Sequence, residues 1–160
     1  MRSAFGNNLK AYYDHYRVSG YAEGRVATGS TELQNPTTVY NGVDYRLVYD
    51  YNYYINKYPD IKAAFNGDEN AALRHFVESG MSEGRQGNAS FNVAAYRANY
   101  ADLRSAFGRD LKSYYMHYIG SGYREGRKAT GNGTLKNPVT VYNGVDYSLV
   151  YDYNYYISKY

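Results

Sequence analysis

The chain repeats itself. Residues 2–58 align without a gap on residues 104–160, and 42 of those 57 positions are identical. A weaker repeat at an offset of 42 lies inside the first. It relates Tyr54, Tyr58, Asp60, Phe65 and His75 to Tyr96, Tyr100, Asp102, Phe107 and His117. It also relates Gly80 and Glu83-Gly84-Arg85 to Gly122 and Glu125-Gly126-Arg127. Self-similarity at a fixed spacing marks units too small to bury an apolar face alone, which become stable by packing on their neighbours. The spacing predicts a module of about 38 residues. Complete modules lie at roughly 49–87 and 91–127, a partial helical module at 1–25, and the first helix of a further one at 152–160. Segments 26–48 and 128–150 read as inserted linkers rich in Gly, Thr and Asn, with Asn35-Pro36 and Asn137-Pro138 as breakers.

The expected fold class is mainly α, with two or three short helices in each tandem module. Asp50 and Asn92 suit helix N-caps, each after an aromatic residue, Tyr49 or Phe91, that can staple the entry. Tyr51, Tyr54 and Tyr58 then fall at helical spacing, as do Val93, Tyr96 and Tyr100. Pro59 fits the first turn of a second helix. Ala101 stands in its place in the next module, so the first two helices there are expected to merge. Ile61 with Phe65, and Leu103 with Phe107, continue the buried stripe. A third helix from Asp68 or Asp110 would bury Leu73, Phe76 and Val77, or Tyr115, Tyr118 and Ile119. Gly80 and Gly122 would end it in the left-handed conformation. In the linkers, Asn41-Gly42 between β-formers signals a small type I′ β-hairpin, with a tight turn and no lasting sheet as the other reading.

Composition narrows the function classes. Tyr occurs 24 times, against 5 Phe and no Trp. A core built from Tyr is small and amphipathic, which fits several modules better than one large core. Eighteen Lys and Arg against 15 Asp and Glu leave a net charge of +3 with no concentrated basic stripe, which argues against a nucleic-acid partner. The apolar runs are too short for membrane insertion. The absence of Cys excludes a disulfide scaffold and thiolate metal sites. No signal peptide is visible at Met1, so secretion would belong to a longer parent chain.

The reactive residue types are spread one per module. His15, His75 and His117 hold equivalent positions and read as partly buried residues bonded to backbone or to the Glu-Gly-Arg turn. That triplet, also present at Glu23-Gly24-Arg25, reads as a structural turn in which Gly takes a strained backbone. Asp60 and Asp102 read as N-terminal helix complements. There is no calcium loop, phosphate loop, nucleophile elbow or catalytic carboxylate pair. The expectation is therefore no enzyme, no cofactor and no metal. Ligand binding is assigned instead to Tyr12, Tyr53, Ile55 and Tyr114: Tyr53 matches Ala95 and Ile55 matches Arg97 in the next module, Tyr114 matches Ala72, and Tyr12 repeats Tyr114. Rigid aromatic contact area at these places suits protein surfaces or sugar rings; the other reading is that they cover seams between modules.

Taken together, Tyr40-Asn41-Gly42-Val43-Asp44-Tyr45, Val48 to Ile55, Lys57-Tyr58-Pro59-Asp60, His75-Phe76 and Gly80 to Gly87 resemble a tandem repeat of secreted surface proteins of gut clostridia. The resemblance covers essentially the whole chain. It implies a non-catalytic, extracellular region, attached to or secreted from the cell surface as part of a longer protein, sometimes beside cell-wall lysozyme or amidase domains. It further implies a host macromolecule as ligand, immunoglobulin bound in a superantigen-like way being the first candidate. A cell-wall glycan that tethers a neighbouring enzyme is the alternative, and a passive stalk the third reading.

Two further expectations concern the long copies. Asn7, Ala11, Asp14 and Val18 differ from Arg109, Ser113, Met116 and Gly120 along one helical stripe. That stripe is expected to face solvent, with the constant Leu9, Tyr13 and Tyr16 on other faces and their aromatics buried. Segments 1–25 and 152–160 also read as complementary halves of one module. They are expected to meet, either in a closed single-chain unit or head to tail between chains.

Overall fold

The computed structural model describes residues 2–6, 8–29 and 32–160 and is mainly helical with two small antiparallel hairpins. Near the N-terminus, α1 (Arg2–Phe5) and α2 (Leu9–His15) lead into a π-helical turn, Tyr16–Gly20. The first hairpin pairs β1 (Val39–Tyr40) with β2 (Val43–Asp44). Then come α3 (Tyr51–Lys57), α4 (Pro59–Phe65) and α5 (Glu69–His75), closed by a second π turn, Phe76–Gly80. The same order recurs in α6 (Val93–Asn99), α7 (Ala101–Phe107), α8 (Leu111–His117) and the π turn Tyr118–Gly122. The second hairpin, β3 (Val141–Tyr142) with β4 (Val145–Asp146), precedes α9 (Tyr153–Lys159).

Most of these helices span two turns, too short to persist in isolation. Side-chain caps define their starts. Asp50, Asp68, Asn92, Asp110 and Asp152 each accept a hydrogen bond from the amide three residues on. The expected merger of α6 and α7 does not occur. Tyr100 is extended at φ −128°, as Tyr58 is at φ −119°. Proline is not the cause of the separation between the helices. The Tyr100 hydroxyl accepts from the Lys128 amide at 2.5 Å, and the Arg127 guanidinium lies 4.7 Å from its ring, which fixes the break from outside.

The two helix triplets share one aromatic core. Tyr49 packs on Phe76 with ring centroids 5.0 Å apart, Phe76 meets Tyr115 edge-on at 5.8 Å, and Phe91 contacts Tyr115 and Tyr118 at 4.9 and 4.8 Å. Each such pair adds about 0.5–1.5 kcal/mol beyond the area it buries. Both triplets also bond in the same way to the chain leaving their C-terminal turn. The Asp50 amide donates to the Gly87 carbonyl at 2.9 Å, and the Asn92 amide to Ala129 at 2.8 Å. At Gly87 a Cβ would lie 2.4 Å from the Val48 carbonyl oxygen, so this crossing requires glycine.

Part of the stretch read as the first linker belongs to the core. Asn41 and Gly42 take φ 48° and 77°, forming the tight turn, and the strands do pair. Asn52 holds Leu33 through two backbone bonds, the Thr37 amide donates to Glu69 at 2.6 Å, and the Tyr40 hydroxyl donates to Glu78 at 2.5 Å. Tyr45 and Val48 are buried. The second hairpin has the same register and the same Asn143-Gly144 turn, yet its apolar residues face solvent.

Two expectations about the third helices are corrected. Gly80 and Gly122 are not left-handed; Gly84 and Gly126, four residues on, are, at φ 74° and 68°. Gly80 and Gly122 are needed for a different reason, since a Cβ there would lie 2.6 Å from the Tyr54 hydroxyl or 2.1 Å from that of Tyr96. In the varying stripe, Val18, Arg109, Met116 and Gly120 are exposed, whereas Ala11, Asp14 and Ser113 are half-buried and Asn7 lies outside the described residues. The constant face divides by copy. Tyr115 and Tyr118 are buried, but Leu9 and Tyr13 are 71 % and 76 % exposed and Tyr16 is half-buried. Tyr115 lands on Phe76 and Phe91 and donates its hydroxyl to the Arg85 carbonyl, whereas Tyr13 stays exposed.

Candidate functional site

The chemically versatile side chains form internal clasps. At the Glu83-Gly84-Arg85 turn, the guanidinium of Arg85 bridges Glu83 at 2.5 Å and Asp60 at 2.8 Å, and lies 5.0 Å from the Tyr58 ring. Arg127 repeats the arrangement with Glu125, Asp102 and Tyr100. Asp60 and Asp102 therefore serve the first turn of α4 or α7 and also anchor the arginine from the turn that ends the triplet. The Arg127 guanidinium holds the Asp102 carboxyl below its ordinary range. Burial pushes Asp60 the other way, but Arg85 and the helix amides outweigh it.

Each histidine of the two triplets meets a buried tyrosine. The Tyr54 hydroxyl and His75 Nδ1 are 3.1 Å apart, and Tyr96 and His117 Nδ1 are 2.9 Å apart. The expected partner was backbone or the Glu-Gly-Arg turn; the observed one is the first helix of the same triplet. Burial raises the hydroxyl pKa of both tyrosines, which keeps them neutral hydrogen-bonding groups. No group of three His, Asp or Glu able to hold a metal ion occurs among the described residues.

The four residues assigned to ligand binding separate. Tyr114 is fully buried, packed edge-on against Phe107 with its hydroxyl donating to the Gly108 carbonyl at 3.0 Å. Ile55 is buried in the core. Neither presents a surface, and both are corrected to packing residues. Tyr12, half-buried, makes the corresponding bond to Gly6 at 2.9 Å and packs edge-on against Phe5. Tyr12 lines a groove of about 420 Å³ with His15, Tyr16 and Arg25, and Tyr53 lines a more open one outside the core, about 510 Å³ in volume, with Glu32, Asp50, Asn52, Asn56 and Lys57. Lys57 Nζ lies 5.4 Å from the Tyr53 ring centroid. The groove combines an aromatic face with amide and charged groups, a combination suited to a polar macromolecular surface. Of its polar residues only Asp50 carries a signal in the sequence, as an N-cap, although Asn52 and Lys57 recur as Asn154 and Lys159 beside Tyr155.

Acid should loosen this fold through its clasped carboxylates. Asp44, hydrogen-bonded by Arg46 and Thr38, is held at about 2 against an ordinary 3.8, and Asp60 and Asp102 are also lowered. A depressed folded-state pKa stabilises above the unfolded value and ceases to do so as pH falls through the folded value. The thermal midpoint is expected to stay level from pH 7 to about 5 and to decline from about 4 downward. A midpoint that rises on acidification would contradict these assignments. Comparison with known protein families, curated proteins and solved structures finds no match to this chain.

Proposed function

We propose that the chain is a non-catalytic, extracellular bacterial surface repeat built from tandem modules of about 38 residues. In this reading it binds a host protein, immunoglobulin being the first candidate, through the Tyr53 face of α3. The recurrence of the same clasps at an offset of 42 supports the module: Tyr54–His75 with Tyr96–His117, and Asp60–Arg85 with Asp102–Arg127. The observation that carries the binding role is the division of labour among side chains. The triplet histidines and the paired aspartates hold helices together, while Tyr53 and Lys57 line an open groove.

Immobilised polyclonal immunoglobulin is expected to retain the chain. Tyr53→Ala should weaken that binding by roughly 30-fold, the effect of losing about 2 kcal/mol at a hot spot, with the melting temperature nearly unchanged. The polar lining at Asn52, Asn56 and Lys57 favours a second reading, a cell-wall glycan stacked on the Tyr53 ring. Sedimentation with purified peptidoglycan instead of immunoglobulin would decide for that ligand. Retention by neither would overturn the binding role and leave a passive stalk.

A further inference from the structure

The outward face of α3 recurs on α9. Residues 50–57 and 152–159 are the same string except that Ser158 stands in place of Asn56. The anchors recur with it. Asp50 and Asp152 cap their helices by accepting from the Tyr53 and Tyr155 amides at 2.7 and 2.8 Å. Asn52 uses its side-chain amide on both backbone groups of Leu33, at 3.0 and 2.9 Å, and Asn154 does the same with Leu135, at 3.1 and 2.8 Å. Each linker is thereby tied to the helix that follows it at the same point, beside the same tyrosine. Helix α6 follows neither linker and has no such face. Ala94 and Ala95 stand there in place of Asn52 and Tyr53, and Ala95 is buried.

The two copies share a tyrosine ring and a lysine one helical turn further on, on the same face. Tyr53 keeps its open groove within a complete helix triplet, so the outward placement belongs to the helix and its linker. Tyr155 is exposed as well. Among the described residues, no hydrogen bond, ion pair or ring contact joins 2–29 to 152–160, so the expected closed single-chain unit does not form and leaves this face of α9 uncovered. Lys57 and Lys159 make no ion pair among the described residues, whereas Lys10 pairs with Asp14, and Arg85 and Arg127 with their aspartates. Glu32 beside the first face is Thr134 beside the second, and so is not part of what the copies share. A flat ring next to an unpaired ammonium group is complementary to a carboxylate beside an apolar patch.

We infer that the chain is bivalent. Helices α3 and α9 each hold one copy of the same acidic epitope, on a partner that presents it more than once, as the two arms of an immunoglobulin do. The inference rests on the reading of the Tyr53 face as a binding surface. Occupation of one face makes binding at the other intramolecular, and avidity then exceeds either single affinity by about 10²- to 10⁴-fold when both sites engage. Two small faces, each of one ring and one cation, therefore suffice for lasting attachment where neither does alone.

Calorimetric titration of the 160-residue chain with single-arm immunoglobulin fragments counts the sites. Two fragments per chain are expected at saturation. Tyr53→Ala and Tyr155→Ala should each leave one site, and the double variant none. Neither tyrosine belongs to the core, so all three variants should keep the circular dichroism of the wild type. Lys57→Glu and Lys159→Glu should each weaken their own site by at least about 10-fold, and the arginine variants should retain it. On a surface dense in intact immunoglobulin, Tyr155→Ala should speed dissociation by about 100-fold although the Tyr53 face is untouched. One fragment per chain, with Tyr155→Ala without effect, overturns the inference and leaves the Tyr53 reading standing. Two fragments per chain in wild type and in Tyr155→Ala alike also overturn it, since the second site then lies elsewhere. Binding of no fragment removes the Tyr53 reading itself, and the inference with it.

Discussion

Replacing Tyr115 with alanine is expected to lower the unfolding free energy by about 3–5 kcal/mol, the usual loss for a large buried aromatic. The same change at Tyr13 should cost less than about 0.5 kcal/mol, as at ordinary surface positions. The two tyrosines occupy identical places in the 102-residue repeat, with Leu and Lys four and three residues before and His-Tyr two and three residues after. Only Tyr115 lies between Phe76 and Phe91, with its hydroxyl on the Arg85 carbonyl. Removing it leaves a void at the junction of the triplets and strands that carbonyl. Denaturant titration in dilute solution checks the pair, and equal losses at both positions would show that burial follows local sequence here.

Phe76→Ala should be comparably severe, about 3–5 kcal/mol, and should act on both triplets at once. Its ring touches Tyr49, Tyr54 and Tyr115, which belong to the chain entering the first triplet, to α3, and to α8. Unfolding followed by far-ultraviolet circular dichroism and by tyrosine fluorescence is expected to shift to the same lower midpoint. Two separated transitions in the variant would mean that α6–α8 stands without its neighbour.

Local structure was largely legible in the sequence because its causes are local. Asp50, Asn92, Asp68 and Asp110 cap the helices that their positions suggest, and Asn41-Gly42 makes the hairpin turn. Burial was not legible, because it depends on the surface lying opposite. Tyr114 is bulkier than its counterpart Ala72 and so reads as surplus, yet both are fully buried, and the larger side chain reaches Phe107 and the Gly108 carbonyl. The clasps were half legible. The left-handed glycine of Glu-Gly-Arg follows from the triplet itself, but the Asp102–Arg127 pair spans 25 residues and Tyr96–His117 spans 21. Of the binding candidates, Tyr12 and Tyr53 remain groove residues, and Tyr53 stays off the core because α3 buries Tyr51, Tyr54 and Ile55 instead.

Near-identical segments of this chain differ in burial through their neighbours, with residues 33–129 forming the shared core. Amide hydrogen exchange, at a dilution where the mass is that of one chain, compares those segments within one molecule. Residues 45–49 and 114–118 are expected to exchange at least about 100-fold more slowly than their near-identical counterparts 147–151 and 12–16, since protection tracks the free energy of local opening. Matching protection in the paired segments would contradict the account.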